Sequence, residues 1–139
     1  MAMLTKWGGL WGAIPQTPGR VFWVSPGDSY TVDGRSYAAA DDHDGLSPER
    51  ALRTLTQAMT NVTASADDVI VLLPGVHSWT ASIAASKARV TIMGLPCGAG
   101  NFIRPRASIV TSAADEVINV TAADVEIANL RVIVVTAQR

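Results

Sequence analysis

Only one cysteine, Cys97, occurs in 139 residues, which excludes an intrachain disulfide and any zinc cluster built on cysteine. Charge is scarce as well: 17% of the residues are Asp, Glu, Lys or Arg, against roughly 25% in an average globular domain. Eleven cations and 12 anions leave a net charge of −1, so no basic surplus exists to displace counterions from nucleic acid. No apolar run reaches the roughly 18 residues that a membrane span needs. Gly8-Gly9 and Pro15 break up the N-terminal segment that could otherwise serve as a signal core. Gly98-Ala99-Gly100 lacks the flanking strand and helix, and the further Gly or Lys, of a phosphate-binding loop. The expectation is a protein without cofactor, nucleic-acid partner or membrane partner. What is plentiful is apolar: a 48% share is incompatible with intrinsic disorder, and the length suits one core.

Residues 1–46 are rich in Gly, Pro and aromatics and sustain neither a helical nor a strand period. Three of the four Trp lie here, at Trp7, Trp11 and Trp23, with Pro15, Pro18 and Pro26 among them. Proline fixes φ and removes a donor, so the segment reads as an extended arm with turns, leading into a loop. Rings carried on such an arm cannot bury themselves locally and must find a surface on this fold or on a neighbour.

The spacing predicts a helix over 47–63. Ser47 suits the N-cap, Pro48 the first helical position and Glu49 the first turn. Ala51, Leu52, Leu55, Ala58, Met59 and Val62 then form one apolar stripe. From residue 67 the pattern changes to short β runs. Residues 69–73 (VIVLL) are continuously apolar, as in a strand buried on both faces, and Pro74-Gly75 ends them. Runs at 89–93, 108–111, 117–120, 125–127 and 130–135 follow, with no second helix, which disfavours a doubly wound fold. From Val69 to Val90 is 21 residues and from Val90 to Val110 is 20. Recurrence at that interval, without hairpin dipeptides after residue 67, predicts an all-β parallel solenoid of stacked coils.

Particular residues carry a family resemblance. Residues 44–58 (DGLSPERALRTLTQA) resemble the opening segment of right-handed parallel β-helix proteins of the pectate-lyase-like class. Residues 69–75 (VIVLLPG) look like the first coil of that class, 87–94 (KARVTIMG) like the strand that follows, and 117–130 (VINVTAADVEIANL) like later coils. The resemblance spans residues 41–135 and speaks to fold, because one fold hosts many activities. It implies that residues 47–139 form a short right-handed parallel β-helix whose N-terminal end the helix caps. The far end, running from Val134-Val135 into Thr136-Ala137-Gln138-Arg139, carries no cap. That end would be covered either by neighbouring chains or by further coils of a longer protein.

Chemistry is thin. A glycosidase on this fold needs two carboxyls about 5–9 Å apart. Asp115, Glu116, Asp124 and Glu126 are the candidates, but Asp115-Glu116 and Asp124 precede strands, where solvated turns are expected. Asp41-Asp42-His43-Asp44 is the densest acidic cluster. Its consecutive carboxylates lack the alternation and distal Glu of a calcium loop, so it reads as a turn in which Asp44 aids the helix cap. His77 reads as a packing or turn residue, and Cys97, beside Pro96, has no basic neighbour to activate it. No nucleophile, base and orienter can be assembled from the chain, so the expectation is not an enzyme.

A helix-capped β-helix behind a Trp-rich arm is similar to virion proteins of tailed bacteriophages, both capsid decoration (cement) proteins and tailspikes. That implies a homotrimer in the virion, attached to the major capsid protein or another virion protein through Trp7, Leu10, Trp11, Ile14 and Trp23. An alternative is the N-terminal part of a tailspike-like polysaccharide depolymerase whose catalytic coils lie beyond residue 139. A third is a glycan-binding module that uses Trp79 and Tyr37 as stacking platforms.

Overall fold

The computed structural model describes residues 18–32, 34–79, 82–94 and 117–134, together with the backbone of 107–111. Among these the chain is mostly β-strand, with one short α-helix. Strand β1 (Val21–Val24) is followed by an antiparallel hairpin of β2 (Ser29–Val32) and β3 (Arg35–Ala38). A 3-10 turn at Pro48–Arg50 and helix α1 (Leu55–Asn61) come next. Eight strands complete the fold: β4 (Val69–Leu72), β5 (Gly75–Trp79), β6 (Ile83–Ala85), β7 (Thr91–Gly94), β8 (Ala107–Thr111), β9 (Ile118–Val120), β10 (Glu126–Ala128) and β11 (Arg131–Val134).

Their pairing is parallel and regular. Strands β4, β7 and β10 follow β1 in one sheet, β5, β8 and β11 form a second, and β6 and β9 a third. From β4 onward each strand therefore pairs with the strand three places later. The sequence supplies matching corners. Asp67, Arg89 and Asp124 all have positive φ (59°, 58° and 56°), each two residues ahead of a strand of the first sheet. At the next corner Gly75 has φ of 137°, and a Cβ there would lie 2.8 Å from Pro26, so glycine is required on both counts.

Strands β1, β4 and β7 of the first sheet are buried on both faces. Phe22, Val24, Ile70, Leu72 and Ile92 join the cluster that holds Leu55, Ala58, Val62 and Ile83. Trp23, Val69, Val71 and Met93 join a second cluster, completed by Tyr30 and Val32 of the hairpin and by Ala51. This double burial is why VIVLL reads as continuously apolar.

Three expectations are corrected. The helix does not run over 47–63. Ser47 makes no side-chain cap bond, and Ala51 is extended (φ −62°, ψ 145°). Leu52 N–H donates to Trp23 O (2.8 Å) and Ser25 N–H to Leu52 O (2.8 Å), while Gly45 O accepts from Trp23 N–H (2.7 Å). Pairing with the free edge of β1 thus takes the backbone groups a helix would use. The true N-cap is Thr54, whose side chain accepts from Gln57 N–H. Its partner Asp41 accepts from Arg53 N–H, Thr54 N–H and Thr54 Oγ1, whereas Asp44 takes Leu46 N–H in the preceding turn. The stripe from Ala51 to Val62 is buried throughout nonetheless.

Second, residues 21–46 are not an arm, because β1 pairs residue for residue with β4 and the hairpin covers the outer face of the sheet. Third, the interval near 20 does not set every coil. Val69 pairs with Thr91, 22 positions on, but Thr91 pairs with Glu126, 35 positions on. Val110 lies in the second sheet, opposite Ser78 and Ile133. The longer connection between β7 and β8, against the two residues between β4 and β5, breaks the period.

Candidate functional site

Two features of this frame are candidates for function. The first is the layer formed by β9, β10 and β11. Register defines rows of side chains that run across successive strands. Ile70, Ile92 and Ile127 share a row; the first two are fully buried, whereas Ile127 is 43% exposed. Val120 continues the row of buried Ala85, and Val132 the row of buried His77, yet both are 47% exposed. Val134 continues the row of Trp79 and is also exposed. These positions belong to the last layer among the described residues.

At the opposite end the corresponding problem is solved within the chain. Asp68 occupies the position that Val90 and Val125 hold in later layers, and its side chain is 1% exposed. Arg20 N–H (2.7 Å), Thr63 N–H (2.8 Å) and the Arg20 guanidinium (3.2 Å) all donate to it. Burial alone would raise its pKa; these donors outweigh that and hold the carboxyl below its usual range. Arg20 also reaches Asn61 O and Thr63 Oγ1 and lies over the Phe22 ring, which ties the start of the described chain to the end of α1.

The second candidate is a cleft of about 240 Å³ at the edge of β5 that does not face β8. Ser25 and Pro26 line one side, where the chain leaves β1 for the hairpin instead of supplying β5 with a neighbour. Thr54, Leu55 and Thr56 at the start of α1 line another, and Ser82 and Ile83 close it. Into it β5 contributes His77, Ser78 and Trp79. His77 is 2% exposed, its Nε2–H donates to Leu73 O (2.8 Å), and burial lowers its pKa, so the ring is neutral at pH 7. Its other nitrogen, Nδ1, is then an acceptor with no protein partner among the described residues.

The expected site residues divide. Trp23 is 2% exposed between the sheet and the hairpin, so it cannot reach another chain and leaves the attachment set. Trp7, Leu10, Trp11 and Ile14 lie outside the described residues, as do Asp115, Glu116 and Cys97. Asp124 sits at a corner of positive φ, and Glu126 is exposed with Thr91 opposite it, so no second carboxyl faces it in that row. Tyr37 stacks on Tyr30 (centroids 5.8 Å apart) and packs in the hairpin cluster, whereas Trp79 packs on the other cluster. The structure does not bring the two rings together. His77 has the packing place expected of it, but the cleft beside it was not legible, because its walls come from four separate stretches of sequence.

Scanned against known protein families, curated proteins and solved structures, the chain finds no match in any of the three.

Proposed function

We propose that the chain is a structural assembly protein: a short right-handed parallel β-helix that covers its last layer by contact with another chain. The finer reading of the fold rests on the pairing of each strand with the third strand after it and on the repeated corners at Asp67, Arg89 and Asp124. The functional reading rests on one observation, the exposure of Val120, Ile127 and Val132 in rows where Ala85, Ile92 and His77 are buried, with Val134 exposed beside them. Burying one such side chain completely is worth about 1.5–3 kcal/mol, so covering four half-exposed ones supplies ~3–6 kcal/mol to an association. Among the described residues β9, β10 and β11 each have one edge without a neighbouring strand, which adds backbone donors and acceptors to the same surface.

The specific version is a virion protein of a tailed bacteriophage, a homotrimer of the decoration or spike kind. Trp7, Leu10, Trp11 and Ile14 attach it to the shell or tail, because aromatic anchors between glycines fill grooves at low entropic cost. The native mass of the purified chain tests the assembly, with three times 14.6 kDa expected. Ile127→Asp combined with Val132→Asp is expected to return the species to monomer. A wild-type chain that stays monomeric at all concentrations overturns the proposal. Attachment is tested by deleting residues 1–17 only, since Gly19 and Arg20 belong to the fold, and undiminished particle binding rejects the anchor. A second reading uses the same exposed layer: further coils of a longer chain cover it, and the protein is the N-terminal part of a depolymerase. A natural reading frame running past Arg139 into coils with facing carboxylates would decide for that reading.

A further inference from the structure

The cleft beside β5 carries an inference independent of assembly. Its chemistry is mixed in a particular way. Trp79 is half-buried, packed on the core cluster with its remaining surface lining the cleft, and its indole N–H has no protein partner among the described residues. Thr56 and Ser82 line the same space, and their hydroxyls have no protein partners among the described residues. His77 lines it as well, almost wholly buried, with one ring nitrogen committed to Leu73 O and the other an acceptor without a protein partner among the described residues. A buried polar atom without a protein partner is disfavoured, so this nitrogen calls for a partner from outside the chain.

We infer that this cleft binds a single sugar ring, with an apolar face of the ring on Trp79 and a hydroxyl donating to His77 Nδ1. Each feature selects for that class. A flat aromatic surface takes the C–H face of a pyranose, and hydroxyls that can donate or accept match a polyol. An acceptor-only nitrogen calls for an O–H or N–H from the ligand. No charged side chain meets the ring at full strength, because Arg53 at the rim is paired through its Nε with Asp28 Oδ1 (2.6 Å), which favours a neutral sugar over an acidic one. A volume of about 240 Å³ lies below the roughly 300–1,000 Å³ of pockets for larger ligands, so one residue of a glycan is held and its neighbours stay in solvent.

The experiment is saturation-transfer NMR on the full chain with D-glucose, D-galactose, N-acetyl-D-glucosamine and L-rhamnose, each followed by titration. At least one is expected to bind saturably with Kd near the millimolar range. Trp79→Ala and Ser82→Tyr are each expected to weaken it tenfold or more, while Tyr37→Ala leaves it unchanged. Ser82 is exposed and its enlargement fills the cleft without touching the core, so this variant decides the matter if Trp79→Ala fails to fold. Absence of saturable binding across the four sugars, or binding that survives Ser82→Tyr, overturns the assignment.

Discussion

Single residues settle how a parallel stack begins. In the first sheet the row of Asp68, Val90 and Val125 sets a carboxylate among side chains that are otherwise apolar. Its three donors belong to two separate segments, so the charge is neutralised only when Arg20 and Thr63 are both in place. An Asp68→Asn variant keeps the shape but turns an N–H toward the same donors. We expect it to lower the stability to chemical denaturation by about 2–3 kcal/mol. The pH dependence follows from the lowered pKa. The folded chain holds fewer protons on this group than the unfolded chain, so its stabilisation is complete above the unfolded value of about 3.9. It is lost as pH falls through the lower folded value, and the Asn variant should lack that part of the acid transition. An unchanged acid limb in Asp68→Asn would contradict this account. Sequence alone pointed to no such role, because Asp68 stands next to Asp67 and the pair looks like a solvated turn.

Among the elements, the strands after residue 67 were legible and the segment before it was not, for physical reasons. Strand β4 announces itself because both its faces are buried, and Pro74-Gly75 marks its end. Strand β1 is of the same length and nearly as buried, but its run VFWV stands in a stretch rich in Gly and Pro, and its parallel partner is distant in sequence. The hairpin cue was present: Asp33-Gly34, with Gly34 at φ of 73°, lies between the alternating runs SYTV and RSYA. The helix shows local propensity overridden by tertiary pairing, since Ser47, Pro48 and Glu49 form a correct start signal for a turn that goes no further. Cap substitutions separate the two starts. Thr54→Ala is expected to cost about 1 kcal/mol in denaturant unfolding, and Ser47→Ala less than about 0.5 kcal/mol. The reverse order would mean that the helix begins at Ser47. The other end of α1 is held by Lys87, whose ammonium donates to Thr60 O (2.7 Å) and to Val62 O, so the helix is stapled to the corner that precedes β7.

At the scale of the whole molecule, the proposed β-helix would make stability a nearest-neighbour property of its stacked layers. Among the described residues, strands β4 and β7 are paired along both edges, whereas β10 and β11 are paired along one and carry half-exposed side chains. Hydrogen exchange should therefore protect the amides of Val69–Leu72 and Thr91–Gly94 most, and those of Glu126–Ala128 and Arg131–Val134 least. Equal protection of β10 and β4 in the isolated chain would contradict the nearest-neighbour picture. Association through the last layer should raise protection at β10 and β11 alone. The pairing of β1 with β4 has a further consequence, for biosynthesis. Val21 meets Val69 only after 48 further residues have been made, whereas β4 to β7 spans 22. As the chain leaves the ribosome, Phe22 and Trp23 have no strand to pair with until Leu72 has emerged. In a refolding reaction the nearer contact between β4 and β7 closes at lower entropic cost. With all three strands present, as in refolding, β1 is thus the last of them to be locked in, whereas during synthesis it can pair before β7 is made. In either case two of the largest apolar side chains of the core wait uncovered for a strand distant in sequence.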